Sequence, residues 1–307
     1  MKTETVRKLK VAILGSGNIG TDLLVKIQRS PYLECSYFIG RNNDSEGMNK
    51  ARSLGVRTSS KSIAAIIEEP DSCDLVFDAT SAADHLKHAP ILKELNKLVI
   101  DMTPSNIGAM CIPAVNLSEC LNYTNINMVT CGGQASIPLA YAIGQTQKNI
   151  DYIEVVSSIS SKSAGPATRR NLDEYIDTTE TGIRKFSGCK RAKTILNLNP
   201  ADPCIDMQTT VFALVKEPDI PSLVSLTNEI VKKIQYYVPG YQLIIPPTIE
   251  NGRIVIMVKV KGLGDYLPAY AGNLDIINCA AIAAAEEYSK KTELVLEGGK
   301  YARYLDK

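Results

Sequence analysis

Lys10-Val11-Ala12-Ile13-Leu14-Gly15-Ser16-Gly17-Asn18-Ile19-Gly20-Thr21 is the stretch that decides the fold. An apolar strand over Lys10–Leu14 runs into a glycine turn. Leu23, Leu24 and Ile27 then repeat at helical spacing over Thr21–Gln28. A dinucleotide site requires this order: a tight turn, close approach of backbone to a pyrophosphate, and a helix N-terminus aimed at it. Gly15, Gly17 and Gly20 serve these needs in turn, with Ser16, Asn18 and Ile19 between them. A glycine motif alone also fits a structural turn in an unrelated α/β domain, so its surroundings carry weight.

Those surroundings alternate. Glu34–Gly40 reads as a second strand, and Asn49–Leu54 and Ser62–Glu68 as short helices. Asp74–Ala79 is a continuous apolar strand, the kind covered on both faces. His85–Leu95 reads as a helix, and Leu98–Asp101 and Asn127–Thr130 as further strands. The alternation predicts an α/β fold with a Rossmann doubly wound parallel sheet over residues 1–130. The pattern then changes. Ser136–Gln147 reads as a helix, and Tyr152–Ile159, Thr209–Val215 and Ile254–Val260 as β-branched strands. Long helices are expected at roughly 167–187 and 221–236, which makes 131–268 an α+β domain. The Ala-rich helix Ala269–Tyr288 begins a C-terminal segment, 269–307, expected to pack back on the first domain.

The composition excludes several classes. The 307 residues are 45% apolar and 22% charged with a net charge of +1, and no long run has one sign. Neither nucleic acid nor an anionic membrane is the expected partner. Trp is absent and there are 4 Phe, which leaves no base-stacking platform. No apolar run reaches the roughly 18 residues of a membrane span. Met1–Lys10 is polar and basic, and Val11–Leu14 is too short for a signal-peptide core. The expected location is the cytoplasm.

The 8 cysteines form no C-x-x-C pair, and only 2 histidines accompany them. Neither a disulfide framework nor a zinc site is expected. Most of these thiols read as small buried hydrophobes. Cys131 differs: it follows a strand and precedes Gly132, Gly133 and a helix. A helix N-terminus at the carboxyl edge of the sheet lowers a thiol pKa, and the glycines offer backbone N–H groups to an oxyanion. Cys131 is therefore either the nucleophile or one more structural thiol. A thiol beside a nicotinamide implies addition to an aldehyde, hydride loss and a thioester. His85 and His88 lie on one helix in the first half and read as a helix-face feature rather than a base.

The residue ending the second strand selects the cofactor. An acid there grips a ribose 2′-OH, whereas here Gly40-Arg41-Asn42 stands in that place. Arg41 either pairs a 2′-phosphate or lies in solvent, so NAD and NADP both remain open.

Val11–Asp22, Asp78–Ser81, Asp101–Pro104, Val129–Pro138, Ser161–Arg169, Asn199–Pro203 and Tyr270–Ile276 stand in an order that closely resembles the CoA-acylating acetaldehyde dehydrogenases of aromatic-degradation pathways. The resemblance covers about residues 8–290. It implies a second domain that is catalytic and oligomerising, a thioester on Cys131, and coenzyme A as acyl acceptor. It implies dinucleotide contacts from Ser16 to Ile19, from Ser163, Ala164, Gly165, Pro166, Ala167, Thr168, Arg169, Arg170 and Asn171, and from Asn273 near the nicotinamide. For the segment at 163–171 a polar loop capping a helix is the alternative, and for Asn273 a helix N-cap. The resemblance further implies a 4-hydroxy-2-oxovalerate aldolase partner that feeds aldehyde through a tunnel, and a homo-oligomer.

Three positions depart from the family pattern. The family's proposed general base is an Asp where Thr209 stands, Arg41 replaces a frequent Asp, and Ala167 replaces a usual Gly. Threonine is no base near neutral pH. The chain thus reads as an active enzyme with an altered rate, pH optimum or aldehyde, or as a weakly active member kept to support an aldolase. A phosphorylating semialdehyde dehydrogenase is a third reading, opposed by the lack of a histidine after Cys131.

Overall fold

The computed structural model describes residues 8–297. The basic N-terminal stretch up to residue 7 and the expected C-terminal tail from 298 lie outside the described residues. So do the side chains of Pro166, Ala167 and residues 293–297.

The first sheet is built from β1 (Leu9–Leu14), β2 (Leu33–Ile39), β3 (Thr58–Ser59), β4 (Leu75–Asp78), β5 (Leu98–Asp101), β6 (Ala109–Met110) and β7 (Asn125–Asn127). Its order is β3-β2-β1-β4-β5-β7-β6, every pairing parallel. This is the expected Rossmann sheet, with its switch point between β1 and β4. Alternation along β1 explains the double cover: Val11 and Ile13 face one core, Ala12 and Leu14 the other. The helices between the strands are α1 (Asn18–Ile27), α2 (Glu46–Ser53), α3 (Ala64–Glu68), α4 (Ala82–Glu94) and α5 (Pro113–Cys120).

After α6 (Cys131–Thr146), the chain forms a second sheet from β8 (Ile150–Ser160), β9 (Arg191–Asn199), β10 (Met207–Val215), β11 (Tyr241–Glu250) and β12 (Arg253–Val260). Its order is β11-β12-β10-β8-β9, antiparallel except for β8 with β9. The helices α7 (Pro166–Arg170), α8 (Leu172–Ser187) and α9 (Ile220–Tyr237) complete this half. Three expectations shift here. The long helix at 167–187 is two helices that meet at Asn171. Strands β9 and β11 escaped the pattern because each is an edge strand with mostly exposed or half-exposed residues. Along β10 buried and half-buried residues alternate, so one face packs on α6 while the other stays open.

Helix α10 (Gly272–Glu297) joins the halves. Ile277, Ala280, Ala281, Ala284, Ala285 and Tyr288 recur at helical spacing in the core beneath α1. Ile276 and Cys279, on the adjoining stripe, enter the core of the second sheet. No helix among the described residues is long and apolar enough to cross a membrane.

Candidate active site

Leu14, Asp78, Asp101 and Asn127 are register partners in a row across the carboxyl edge of the first sheet. The glycine turn leaves from the first of these positions and the Cys131 turn from the last. Three strand spacings separate them, about 14 Å. The two sequence motifs, over 100 residues apart in the chain, therefore open onto the same edge.

In the glycine turn, Gly15 has φ +123° and a Cβ there would sit 2.4 Å from the Ala79 carbonyl oxygen. A Cβ on Gly20 would meet the Gly15 oxygen at 1.9 Å, so this residue lets α1 begin against the turn. Gly17 is the N-cap of α1 and, with Asn18, lies exposed at the mouth. Ser16 accepts a hydrogen bond from the Ser45 hydroxyl at 3.1 Å, and the Ile19 carbonyl accepts one from Asn278 on α10 at 3.2 Å. Arg41 follows β2 and Gly40, exposed to solvent.

The expected strand over Asn127–Thr130 ends at Asn127 instead. Asn127 Oδ1 accepts the Val129 N–H at 2.8 Å, and Val129 adopts φ +62°. A β-branched residue in that region stores on the order of 1–3 kcal/mol of strain. The turn reverses the chain so that Thr130 caps α6, accepting the Gly133 N–H at 2.8 Å. Cys131 is thereby the first residue of α6, at the helix N-terminus as expected.

Two expectations about Cys131 need correction. The Gly133 N–H belongs to the Thr130 cap, so the groups directed at the thiol are the N–H of Gly132 and of Cys131 itself. The thiol is also not activated by the helix end alone. Burial pushes its pKa up to about 11, against the lowering effect of the Tyr175 hydroxyl and these two N–H groups.

Tyr175 escaped the sequence reading. It lies on α8, and its hydroxyl accepts from the Cys131 thiol at 3.9 Å. A Cβ on Gly132 would fall 2.0 Å from that hydroxyl, so Gly132 is what admits it. Burial and the neighbouring Cys131 hold the phenol well above its usual range, which keeps it a proton donor. The same helix is pinned to the cap: Thr179 and Thr130 share a hydroxyl bond of 2.7 Å. Nothing in the local sequence marks Tyr175, whose place depends on how α8 crosses α6.

Thr209 is buried on β10 opposite Ser157 of β8, their hydroxyls 2.9 Å apart. Ser157 Oγ lies 3.3 Å from the Cβ position of Gly132. Thr209 thus stands one hydroxyl behind the start of α6. Asp206 precedes β10 and belongs to no strand.

The 163–171 segment follows β8. Ser163 is buried and donates to the Ser160 carbonyl at 2.8 Å. Arg169 spends its guanidinium on its own loop, reaching Ala164 O at 3.1 Å, Ser161 O at 3.1 Å and Ser161 Oγ at 2.9 Å. Asn171 is the N-cap residue of α8, and its carbonyl accepts the Tyr175 N–H at 2.9 Å. Asn273, 1% exposed, sits inside the first turn of α10 rather than at its N-cap. Both polar atoms of its carboxamide are buried without a partner. Such an amide calls for a ligand that both donates and accepts. A dinucleotide fits these residues: an open turn at a helix N-terminus and an orphan amide at the start of α10.

Comparison with known proteins places this geometry in a family. Residues 131–268 match the family described as prokaryotic acetaldehyde dehydrogenase, dimerisation. Residues 10–121 match semialdehyde dehydrogenase, NAD binding domain. An acetaldehyde dehydrogenase of Spirochaeta aurantia is 65% identical, covering 92% of this chain and 96% of its own. One from Pectobacterium atrosepticum is 56% identical over 94% of this chain and 98% of its own. Among solved structures, aspartate semialdehyde dehydrogenase from Candida albicans, complexed with NADP, shares the fold at TM-score 0.63 and 11% identity, over 91% of this chain and 99% of that one. Aspartate semialdehyde dehydrogenase II from Vibrio cholerae does so at TM-score 0.60 and 16% identity, over 96% and 100%.

Proposed function

This chain belongs to the acetaldehyde dehydrogenase family, and from that premise we propose that it is a CoA-acylating enzyme working through a thioester on Cys131. The reaction is aldehyde + CoA + NAD(P)⁺ ⇌ acyl-CoA + NAD(P)H + H⁺. The observation that carries this reading is the Cys131 thiol at the start of α6, with the Tyr175 phenol 3.9 Å away. The sulfur gives up its proton to water as it attacks the carbonyl carbon. The carbonyl oxygen, taking up the electron pair, meets the Gly132 N–H and the neutral Tyr175 hydroxyl. A bound nicotinamide supplies the hydride acceptor, or the donor in reverse. The CoA thiol then takes the acyl group and restores Cys131.

In this reading residues 1–130 hold the dinucleotide and 131–268 carry the chemistry and the homo-oligomer contact. The pyrophosphate lies at Gly15–Ile19, the 163–171 loop lies alongside, and the Asn273 amide faces the nicotinamide carboxamide. The open face of the second sheet, with Ile195 and Leu214 exposed on it, suits a second copy. A 4-hydroxy-2-oxovalerate aldolase partner supplies the aldehyde.

The deciding test offers the purified protein a range of acyl-CoAs with NADH or NADPH and follows nicotinamide absorbance. No turnover with any of them favours the second reading, a weakly active member kept for an aldolase, which Thr209 motivates. Arg41→Asp is expected to move the kcat/KM ratio from NADPH toward NADH by about tenfold or more. An unchanged ratio removes Arg41 from the phosphate site. Thr209→Asp is expected to carry the acid limb of the pH–rate profile to lower pH, because a carboxylate can take the thiol proton and base catalysis contributes ~10²–10⁴-fold. Thr209→Asn is the control. Identical limbs in the two variants would show that position 209 handles no proton.

A further inference from the structure

We propose that Asn127 and Asp101 are positioning residues for the Cys131 reaction: Asp101 clamps the Asn127 carboxamide, which holds the Val129 turn that aims Cys131, and the charge on Asp101 sets how firmly the clamp holds. The proposal rests on Cys131 as nucleophile.

Both donors and the oxygen of the Asn127 carboxamide are engaged. Its Nδ2 donates to Asp101 Oδ2 at 2.7 Å and to Thr103 O at 2.9 Å, and its Oδ1 accepts from Val129 N–H at 2.8 Å. The carboxamide therefore has one orientation, and only that orientation supports Val129 at φ +62°. Without the bond, Val129 has no reason to stay in a region its side chain disfavours. Relaxation there moves Thr130 and Cys131, the next two residues. Asn127 itself is fully buried.

Asp101 is also fully buried. Besides Asn127 it accepts from Thr103 N–H at 2.8 Å and from Ser105 Oγ at 2.5 Å. His85 bridges two carboxylates: Nδ1 lies 2.9 Å from Asp78 Oδ2, and Nε2 lies 3.5 Å from Asp101 Oδ2. His88 Nδ1 also reaches Asp78 Oδ2, at 2.9 Å. The titratable groups in the cluster are Asp78 on β4, His85 and His88 on α4, and Asp101 on β5. The Asn125 carboxamide on β7 and the 103–105 turn face them without charge.

The charges divide unequally. Burial works to raise Asp78, but bonds from His85 and His88 win and hold it at about 2. Burial pushes Asp101 up to about 6, although His85 and the Ser105 bond oppose this. Burial works to lower His85, yet its bond to Asp78 and the charge of Asp101 raise it. As pH falls through about 6, Asp101 takes a proton. The charge-assisted bond to Asn127 then becomes an ordinary one. The clamp on the Val129 turn loosens at a pH where Asp78 and its two histidines stay paired.

The test reads Cys131 directly, by peptide mass mapping of iodoacetamide labelling from pH 5 to 8, beside acyl-CoA turnover. In the parent, the thiolate fraction alone makes labelling fall about tenfold per pH unit; below about pH 6 the fall is expected to steepen. Asp101→Asn keeps the shape, replaces one of the two acceptor oxygens with an NH2 donor and cannot titrate, so its slope is expected to stay at about tenfold per unit throughout. Asn127→Ala is expected to lower kcat at least about tenfold while KM for NADH stays within about twofold, because the glycine turn is untouched. A steepening that persists in Asp101→Asn, or a parent profile without one, overturns the proposal. So does kcat within about threefold of the parent in Asn127→Ala. Failure of the nucleophile assignment looks different: Cys131→Ala would retain turnover, whatever the labelling slopes.

Discussion

Cys131→Ala is expected to lose acyl-CoA reduction by on the order of 10⁴-fold or more while keeping its affinity for NADH. The loss is large because the C–S bond cannot form and no other thiol is placed to replace it. Cys35, Cys73, Cys111, Cys120, Cys189 and Cys279 are buried, and Cys204 lies in the loop between β9 and β10. The substitution removes one sulfur and little else. Thr130 still caps α6 through the Gly133 N–H, and Thr179 still grips Thr130. The glycine turn belongs to a strand three places away in the sheet. NADH fluorescence titration and the thermal midpoint should therefore match the parent. A residual rate within tenfold of the parent would sink the thioester mechanism, and a lost NADH affinity would mean that Cys131 shapes the cofactor site as well.

The second large effect is on stability. Lys26→Met is expected to lower the thermal midpoint by on the order of 10 °C and to weaken NADH binding. Lys26 is 4% exposed on α1, with Nζ 2.9 Å from Asp22, 2.9 Å from Asp265 and 2.8 Å from Asp275. Burial opposes its charge, but Asp22 and Asp275 win and its pKa is raised. Methionine fills the space of the stem but leaves three carboxylates short of a cation. Arg29 remains on Asp265 at 2.7 Å, and Asn278 on Asp22 at 2.8 Å. Removing one partner of a buried ion cluster costs about 3–5 kcal/mol.

The pH dependence has a definite sign. In the parent, the Lys26 contribution is present below 10.5 and is lost only as pH rises past its raised value, so it is constant from pH 5 to 8. In the variant, the stranded carboxylates bind protons more tightly folded than unfolded. Their penalty is full above those raised values and is relieved as pH falls. The gap between parent and variant should narrow from pH 8 to pH 5, and a gap that widens instead contradicts the assignment. The effect on NADH follows from position. Asp275 is two residues from Asn273, so the cluster ties the nucleotide helix α1 to the turn of α10 that presents the orphan amide.

Much of this site was legible in the chain. Period-2 and period-3.6 patterns marked β1, β4 and α1, because both faces of a parallel strand and one face of its helix must be apolar. Gly15 and Gly20 were legible because no other residue fits those contacts. Cys131 stood out because strand, thiol and glycine occur together at the foot of a helix. The edge strands β9 and β11 were not legible, since half-exposed strands carry little alternation.

Sequence by itself determined that a glycine turn at residues 15–20 and a thiol at 131 leave the same kind of sheet at the same edge. It also set Thr209 where the family resemblance implies a carboxylate, since residue type needs no coordinates. Tertiary structure alone decided how reactive that thiol is. A helix end argues for a lowered pKa, but desolvation is set by everything packed around the sulfur, and here it wins and raises the thiol to about 11. Tyr175, Gly132, Ser157 and Thr209 come from α8, α6, β8 and β10. Asp78, His85, Asp101 and Asn127 come from β4, α4, β5 and β7. Distances between residues so far apart in the chain follow from strand order and helix crossing, which local sequence does not encode.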